Sequence, residues 1–282
     1  MESLLTANKK RLSQENAEME TIQEYCEEES RRRSNSEQVG EGEPEEGPAK
    51  LWGQAWESKE RRIKSTSRFG HFKSYRLRNV VVKGGDDLRQ EIICMQLVYK
   101  IEQIIREAGL NIVVKPYEII VLSENSGILE FVSNSMSVDY MKKHTEDSSL
   151  TDFYSLAFGP GAAYDDALDC FVRSLAGSAI LTYVLKLKDR HNGNILLDRE
   201  GHIIQIDFGF ILGLAPGKIN FESSPFKLTQ EYLDLMEGRD SPYFNQFVDL
   251  FCEGMAALRL RLEELTLILE VMMEQSDLDC FK

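Results

Sequence analysis

One stretch of the chain, residues 187–209, concentrates side chains that could hold a metal ion and move a proton. It reads LKDRHNGNILLDREGHIIQIDFG, with Asn194 five residues after Asp189 and Asp207 near its end. The carboxylate of Asp207 and the side-chain oxygen of Asn194 are hard ligands of the kind that Mg²⁺ prefers. Either Asp189 or His191 could accept the proton of an attacking hydroxyl. These residue types predict phosphoryl transfer, which depends mainly on positioning and charge neutralisation.

The pattern around these residues predicts a β-hairpin that positions them. Two apolar runs, 195–197 and 203–206, flank the turn-forming sequence Asp-Arg-Glu-Gly. A polar loop precedes the first run, and Asp-Phe-Gly follows the second. Because the start of one hairpin strand lies beside the end of the other, we expect Asp189, Asn194 and Asp207 to converge at one end.

The order of these parts is a variant of a known signature. Protein kinases carry His-Arg-Asp, then Asn five residues after the Asp, then Asp-Phe-Gly. Here the triplet is reversed, as Asp189-Arg190-His191, while the spacing from Asp to Asn is kept. Asp-Phe-Gly alone recurs by chance in loops, but the combination with DRHxxN and an alternating strand is specific.

At these residues the chain resembles the phosphatidylinositol 3/4-kinase superfamily, and it is most similar to the type III beta class of phosphatidylinositol 4-kinases. The resemblance covers residues 51–282. It is carried by KDRHNGNILLD at 188–198, GHIIQIDFGFIL at 201–212, KGGDDLRQE at 83–91, FKLT at 226–229 and WESKERRI at 56–63. It implies an α+β, bilobal protein-kinase-like fold, with an antiparallel sheet and a helix in the N-lobe and a mainly helical C-lobe.

The expected organisation has three parts. Residues 1–50 form an acidic, largely disordered segment, with a helix over 2–30 that could bind a protein partner. Residues 51–132 form the N-lobe, and residues 133–282 form the C-lobe. The family has further C-terminal helices, so the resemblance implies a C-lobe truncated at its end and leaves the activity of this chain open.

Within the lobes, the apolar pattern predicts individual elements. N-lobe strands are expected at 77–83, 112–114, 119–122 and 128–131, with a helix from Asp86 to Ala108. C-lobe helices are expected at 164–187, 229–237 and 244–274, with Leu258, Leu262, Leu265 and Leu269 on one side of the last.

Three N-lobe residues are expected to form the phosphate end of the ATP site. Lys83 ends the apolar run Val-Val-Val, so its ammonium group can point into the cleft and neutralise phosphate charge. Glu91 lies on the helix that follows and is expected to pair with Lys83, with a surface position as the alternative. The resemblance places Gly70 in the loop that covers the phosphates. The basic residues of that region fit phosphate contact, membrane contact or a solvated face.

The resemblance also implies a nucleotide pocket and roles at its edge. Val132 would lie in the hinge that binds adenine, and Tyr117 in the back of the pocket, although both could be core residues. Asn194 and Asp207 would bind Mg²⁺, with Mn²⁺ as a substitute. Asp189 and His191 would serve as base and transition-state stabiliser, in an order that the sequence leaves open. Arg190 would structure the loop or meet the transferred phosphate.

The loop after Phe208 and Gly209 carries information about the substrate. Its lysines are Lys218 and, at its end, Lys227, with Glu222 between them. Headgroups that already carry phosphates need several basic residues, so this near-neutral loop favours unphosphorylated phosphatidylinositol. Position 4 of the inositol comes from the resemblance alone. The alternatives are a phosphatidylinositol 3-kinase, an atypical Ser/Thr protein kinase of the same superfamily, and an inactive scaffold.

Amino-acid composition limits which binding partners and which cellular compartment are expected. The net charge of −14 argues against nucleic-acid binding. The five cysteines have no CxxC or histidine spacing, which favours reduced thiols in a cytosolic protein. The N-terminus lacks the apolar core of a signal peptide. We therefore expect a cytoplasmic protein in peripheral contact with membranes, and the resemblance implies membranes of the Golgi type.

Overall fold

The computed structural model describes residues 51–145, 149–215 and 224–281. Helices and small antiparallel sheets share this part of the chain, which confirms the predicted α+β class. The helices are α1 Trp56–Thr66, α2 Arg89–Glu107, α3 Val138–His144, α4 Leu150–Phe158, α5 Ala162–Val184, α6 Gln230–Leu235, α7 Pro242–Leu260 and α8 Leu262–Met273. The strands are β1 Val80–Gly84, β2 Ile119–Ser123, β3 Ser126–Glu130, β4 Ser135–Ser137, β5 Ile195–Asp198 and β6 Ile203–Gln205. The helix and linker predicted for residues 1–50 lie outside the described residues.

The first sheet has the order β1-β3-β2, with both neighbouring pairs antiparallel. Its β1–β3 register places Lys83 opposite Gly127. The helix α2 follows β1 and buries an apolar stripe that includes Leu97, Val98 and Ile101. This arrangement carries Lys83 on a strand and Glu91 on the first turn of the neighbouring helix.

Residues 112–114, predicted as a strand, do not form one. The N–H of Val113 donates to the carbonyl of Arg173 in α5 at 3.2 Å. The segment therefore runs against the core helix of the C-lobe, because a partner from a distant part of the chain satisfies its backbone.

The second sheet is the predicted hairpin, extended by one strand to the order β4-β5-β6. Leu196 lies opposite Ile204, so residues 194 and 206 meet at one end of the hairpin. The hairpin packs on α5, whose residues from Ala167 to Thr182 are largely buried. Although α5 is long and apolar enough to cross a membrane, 72% of its apolar window is buried inside the protein. It is therefore placed as the core helix of the lobe.

Several predicted helix boundaries are wrong, each for a local reason. The helix α2 begins at Arg89, because Asp87 forms a turn in which its Oδ1 accepts the N–H of Arg89 at 3.0 Å. The helix α5 ends at Val184, and Lys186 follows it in the left-handed region with φ 49°.

The long helix predicted over 244–274 is two helices. Arg261 has φ −116° and separates α7 from α8. Its guanidinium contacts Glu264 and lies 3.0 Å from Glu107, which ties the break to the end of α2. As a result Leu258 and Leu265 are buried while Leu262 is exposed, so the predicted single apolar side is not continuous.

Candidate active site

A cavity of about 650 Å³ lies between the first sheet and the β5–β6 hairpin. Side chains from both lobes line it. They include Val81, Lys83, Glu91, Tyr117, Leu129, Val132, Met136, Asn194, Ile206 and Asp207. The cavity thus brings together six of the residues that the sequence predicts for a nucleotide and metal site, namely Lys83, Glu91, Tyr117, Val132, Asn194 and Asp207.

The ammonium group of Lys83 lies 3.4 Å from Oε2 of Glu91. Lys83 is half-buried, and Glu91 is only 4% exposed although it is an acidic residue. Buried carboxylates are rare unless a cation or hydrogen-bond donors compensate them. The predicted pair therefore exists, and the surface alternative for Glu91 does not apply.

The second oxygen of Glu91 has a partner of its own. The hydroxyl of Tyr117 donates to Glu91 Oε1 at 2.6 Å and accepts the backbone N–H of Asp207 at 3.3 Å. Burial raises the pKa of Tyr117 far above its ordinary value, and the charge of Glu91 raises it further. The hydroxyl therefore stays protonated. Tyr117 is buried in the core and also lines the cavity, so the two roles predicted for it, core residue and pocket residue, both apply.

The Asp-Phe-Gly segment is held from several sides. Asp207 has φ 59°, a left-handed conformation that Asp tolerates better than most residues. Its Oδ1 accepts the N–H of Gly209 at 3.3 Å. Phe208 is buried, with its ring centroid 6.0 Å from that of Tyr117. The side-chain amide of Gln90 donates to the carbonyl of Gly209, which ties the segment to α2.

The catalytic loop presents Asp189 and His191 beside the cavity. Asp189 also has a left-handed backbone, with φ 63°. Such outliers persist only where the surrounding structure determines them, and they cluster at functional sites. The side-chain nitrogen of Asn194 donates to the carbonyl of Asp189 at 3.0 Å, which closes the loop on itself.

The two nitrogens of His191 face different groups. Nδ1 accepts the N–H of Gly193 at 3.0 Å, and Nε2 lies 3.9 Å from Oδ2 of Asp189. A backbone N–H can only donate, so Nδ1 is the bare nitrogen and Nε2 carries the proton of the neutral ring. The exposed ring therefore offers a hydrogen-bond donor on the side of Asp189.

Arg190 is buried, and its guanidinium holds the loop to the hairpin. It donates to the carbonyl of Lys188 at 3.0 Å, the carbonyl of Ile206 at 2.8 Å, Gln205 Oε1 at 3.1 Å and the carbonyl of Asp207. Burial lowers its pKa, although the carboxylates of Asp207 and Asp189 oppose that effect. Of the two roles left open by the sequence, these contacts favour structuring the loop over contact with the transferred phosphate.

Asn194 and Asp207 fit a magnesium ion by their chemistry. Both are oxygen donors on the same cavity wall, which is the ligand type that Mg²⁺ requires. The nitrogen of Asn194 is engaged by Asp189, so its oxygen is the atom oriented for a cation.

A second group of candidate metal ligands, Asp198, Glu200 and His202, has ligand atoms within 4.8 Å of one another. Lys115 already supplies a cation there, with its ammonium group 2.5 Å from Asp198 Oδ2 and 3.8 Å from Glu200 Oε2. This cluster lies at the far end of the hairpin and is an internally compensated ion group.

Lys227, predicted to end the substrate loop, contacts the catalytic loop. The ammonium group of Lys227 donates to the carbonyl of Arg190 and to Asn192 Oδ1, both at 3.0 Å, so Lys227 lies against the catalytic loop. Lys218 lies outside the described residues.

Gly70 is not one of the described residues that line the cavity. It lies in the turn after α1, where a Cβ would stand 1.9 Å from the carbonyl oxygen of Lys64. Close packing against the end of that helix requires the glycine. Its place over the phosphates stays a prediction.

Two supporting residues were missed from the sequence. A polar residue on a helix usually faces solvent, yet Gln90 bonds to the carbonyl of Gly209. Gln205 lies within an apolar strand and is buried between Arg190 and Ser178. Its side-chain oxygen accepts from Arg190, and its amide donates to Ser178 Oγ at 2.6 Å. A glutamine within an apolar strand was the signal that could have revealed it.

Comparison with known proteins gives consistent matches. The family model for phosphatidylinositol 3- and 4-kinase matches residues 78–280. A phosphatidylinositol 4-kinase of Dictyostelium discoideum is 42% identical over 82% of this chain and 20% of its own length. The phosphatidylinositol 4-kinase beta of Homo sapiens is 42% identical over 85% of this chain and 29% of its own length, and that of Sorex araneus is equally similar. The chain thus spans between a fifth and a third of the relatives it matches.

Proposed function

Because the chain belongs to the phosphatidylinositol 3- and 4-kinase family, we propose that it transfers the γ-phosphate of ATP to the 4-hydroxyl of phosphatidylinositol at a membrane surface. The product is phosphatidylinositol 4-phosphate. The observation that carries the proposal is the convergence of Lys83, Glu91, Asn194 and Asp207 on one cavity, with Asp189 and His191 beside it.

ATP binds with its adenine against the segment that joins the lobes and its phosphates toward Lys83. Val132 lies in that segment, between β3 and β4, and lines the cavity. The pair with Glu91 holds the lysine ammonium group in the cavity. The side chain is therefore already oriented to neutralise phosphate charge and loses little rotamer entropy when ATP binds.

Asn194 and Asp207 would hold the magnesium ion, and the bound ion would supply neutralisation of the charge that develops during transfer. Asp207 is kept in place by the hydrogen bonds of its backbone to Arg190 and Tyr117. Asn194 is kept in place by its bond to Asp189. Each ligand is thus oriented by a neighbour that does not itself touch the metal.

Asp189 is the proton acceptor in this proposal. The inositol hydroxyl oxygen forms a bond to the γ-phosphorus while the bond to the bridging oxygen of ADP breaks, and the hydroxyl proton passes to the Asp189 carboxylate. His191 cannot take that proton on Nε2, which is already protonated. It instead donates from Nε2 to the carboxylate or to a transferring phosphate oxygen.

The headgroup binds in an open depression of about 600 Å³ beside the catalytic loop. It is lined by Asp139, His191, Asn192, Gly193 and Lys227. Among the residues that the structure describes, this lining has one lysine and one aspartate. That balance suits a headgroup with a single phosphodiester better than one that carries further phosphates. Attack by the 4-hydroxyl rests on the relatives, which are named phosphatidylinositol 4-kinases.

Membrane contact is peripheral in this proposal. The turn after α1 exposes Phe69 and Phe72, each about half accessible, and the guanidinium of Arg68 lies 4.6 Å from the ring centre of Phe69. Basic and aromatic side chains together favour the interface of an anionic membrane. We place the protein in the cytoplasm at membranes of the Golgi type, with protein partners recruited through residues 1–50.

The test is a kinase assay on vesicles of phosphatidylinositol with ATP and Mg²⁺, with Asp207→Ala as the control and separation of the inositol monophosphate isomers. We expect the 4-phosphate from the wild-type protein and none from the variant. The 3-phosphate as product would overturn the assigned position. No product from a folded protein that binds ATP would favour the scaffold, and a folded protein that does not bind ATP would overturn the kinase proposal.

A further inference from the structure

The hydroxyl of Tyr117 joins the Lys83–Glu91 pair to the backbone of Asp207. It donates to Glu91 Oε1 at 2.6 Å and accepts the backbone N–H of Asp207 at 3.3 Å. The other oxygen of Glu91 meets Lys83 at 3.4 Å. A continuous chain of contacts therefore runs from the lysine that faces the phosphates to the backbone of the metal ligand.

The surroundings make this chain of contacts sensitive to the loss of one atom. Tyr117 is 3% exposed and Glu91 is 4% exposed, so water cannot easily replace the hydroxyl. A buried polar group that loses its partner carries a full desolvation cost. Asp207 has a left-handed backbone, so the direction of its carboxylate depends on how its own N–H is held.

We propose that Tyr117 is a positioning residue whose hydroxyl couples the Lys83–Glu91 pair to the orientation of Asp207. Phosphate binding at the lysine and metal binding at the aspartate then favour the same arrangement of the cavity. The inference rests on the proposed magnesium and ATP chemistry, and it is independent of which hydroxyl of the lipid is attacked.

The simpler role for this tyrosine is packing. Its ring lies 6.0 Å from that of Phe208 and fills the base of the cavity. Phenylalanine keeps that ring and removes only the hydroxyl, so Tyr117→Phe separates coupling from packing.

Tyr154 provides a matched control. It is as buried as Tyr117, and its hydroxyl donates to the carbonyl of Gly201 at 2.6 Å. Gly201 lies in the β5–β6 turn, at the opposite end of the hairpin from Asn194 and Asp207. Tyr154→Phe therefore makes the same chemical change at the same burial, away from the site.

The experiment measures the affinity of each purified protein for a fluorescent ATP analogue across a magnesium titration, together with thermal unfolding. For Tyr117→Phe we expect the magnesium concentration at half-maximal nucleotide binding to rise about tenfold, the size of effect that a hydrogen bond to a charged group can produce. For Tyr154→Phe we expect a lower unfolding temperature and an unchanged magnesium dependence. Equal magnesium dependence in the two variants would overturn the proposal.

A double-mutant cycle adds a second readout. If the hydroxyl acts through Glu91, then Glu91→Gln and Tyr117→Phe should have non-additive effects on magnesium dependence. Additive effects would contradict the coupling. Because nucleotide binding needs no lipid, a wild-type protein that binds MgATP but does not phosphorylate phosphatidylinositol still tests this inference, while it contradicts the proposed function.

Discussion

The backbone N–H of Gly193 donates to Nδ1 of His191 at 3.0 Å and so leaves the ring proton on Nε2, 3.9 Å from Oδ2 of Asp189. This contact separates two residues that looked interchangeable in the sequence. One presents a carboxylate and the other an N–H donor, and only the first is ready to accept a proton from a hydroxyl.

Replacement of the Asp189 carboxylate should therefore lower kcat more than removal of the His191 imidazole. We expect Asp189→Asn to lower kcat by about 10³-fold, within the range for loss of a general base. We expect His191→Ala to lower kcat by about 10²-fold, the lower end of the range for loss of one transition-state hydrogen-bond donor. Single-turnover rates with phosphatidylinositol vesicles measure both. A larger loss in His191→Ala would reverse the assignment of the base.

Lys83→Met should impair both ATP binding and transfer, because the proposed function places its ammonium group against phosphates in the ground state and in the transition state. We expect a raised KM for ATP and a kcat lowered by at least about 100-fold. Lys100→Met is the matched control, since Lys100 pairs with Glu264 at 2.5 Å away from the cavity. Unchanged steady-state constants in Lys83→Met would contradict a phosphate role.

Arg190 should matter for both stability and activity, because it ties the catalytic loop to the backbone on either side of Asp207. Arg190→Met leaves several buried carbonyls without a donor, and we expect the free energy of unfolding to fall by about 3 kcal/mol. Urea denaturation measures that loss. Full kinase activity in the folded variant would contradict its role in holding the loop.

The ion group of Asp198, Glu200, His202 and Lys115 at the hairpin turn should make the free energy of unfolding depend on pH. Burial would raise the pKa of Asp198, but hydrogen bonds from His202 and Lys115 lower it to about 2, below the ordinary value of 3.8. The unfolded state then binds the proton more readily than the folded state. The stabilisation, about 2 kcal/mol, is present above pH 4 and is lost as the pH falls from about 4 to 2.

Urea denaturation across this pH range checks the effect. Lys115→Met should weaken the acid-dependent loss, since it removes one of the two groups that lower the pKa of Asp198. Lys143→Met is the control, because its pair with Asp139 is exposed and should contribute little. Identical pH profiles for wild type and Lys115→Met would contradict the assignment.

Gly177 should resist replacement although it lies inside the helix α5. Alanine usually stabilises a helix relative to glycine, but a Cβ here would stand 2.3 Å from the carbonyl oxygen of Val113. We therefore expect Gly177→Ala to destabilise the protein by about 2 kcal/mol or more. Gly254→Ala meets the tips of Ile180 and Ile112 side chains, which can move, so its cost should be smaller. Thermal unfolding of the two variants checks the order.

Much of the active site could be predicted from the sequence because it is local. Asp189, Asn194 and Asp207 belong to one hairpin, and the alternation of its strands indicates which ends meet. The same holds for Lys83 and Glu91, since a strand, a short turn and the first turn of a helix leave few ways to separate them. Short loops limit the possible geometries, so residue spacing carries the information.

Contacts between distant parts of the chain were decided only by the tertiary structure. Tyr117 meets Glu91 and Asp207 across 26 and 90 positions of sequence, and Lys115 meets Asp198 across 83. The absence of the predicted strand at 112–114 has the same origin, since Val113 bonds to Arg173, a neighbour that its own sequence does not indicate. Periodicity specifies which residues are buried, but packing between elements decides which buried groups become partners.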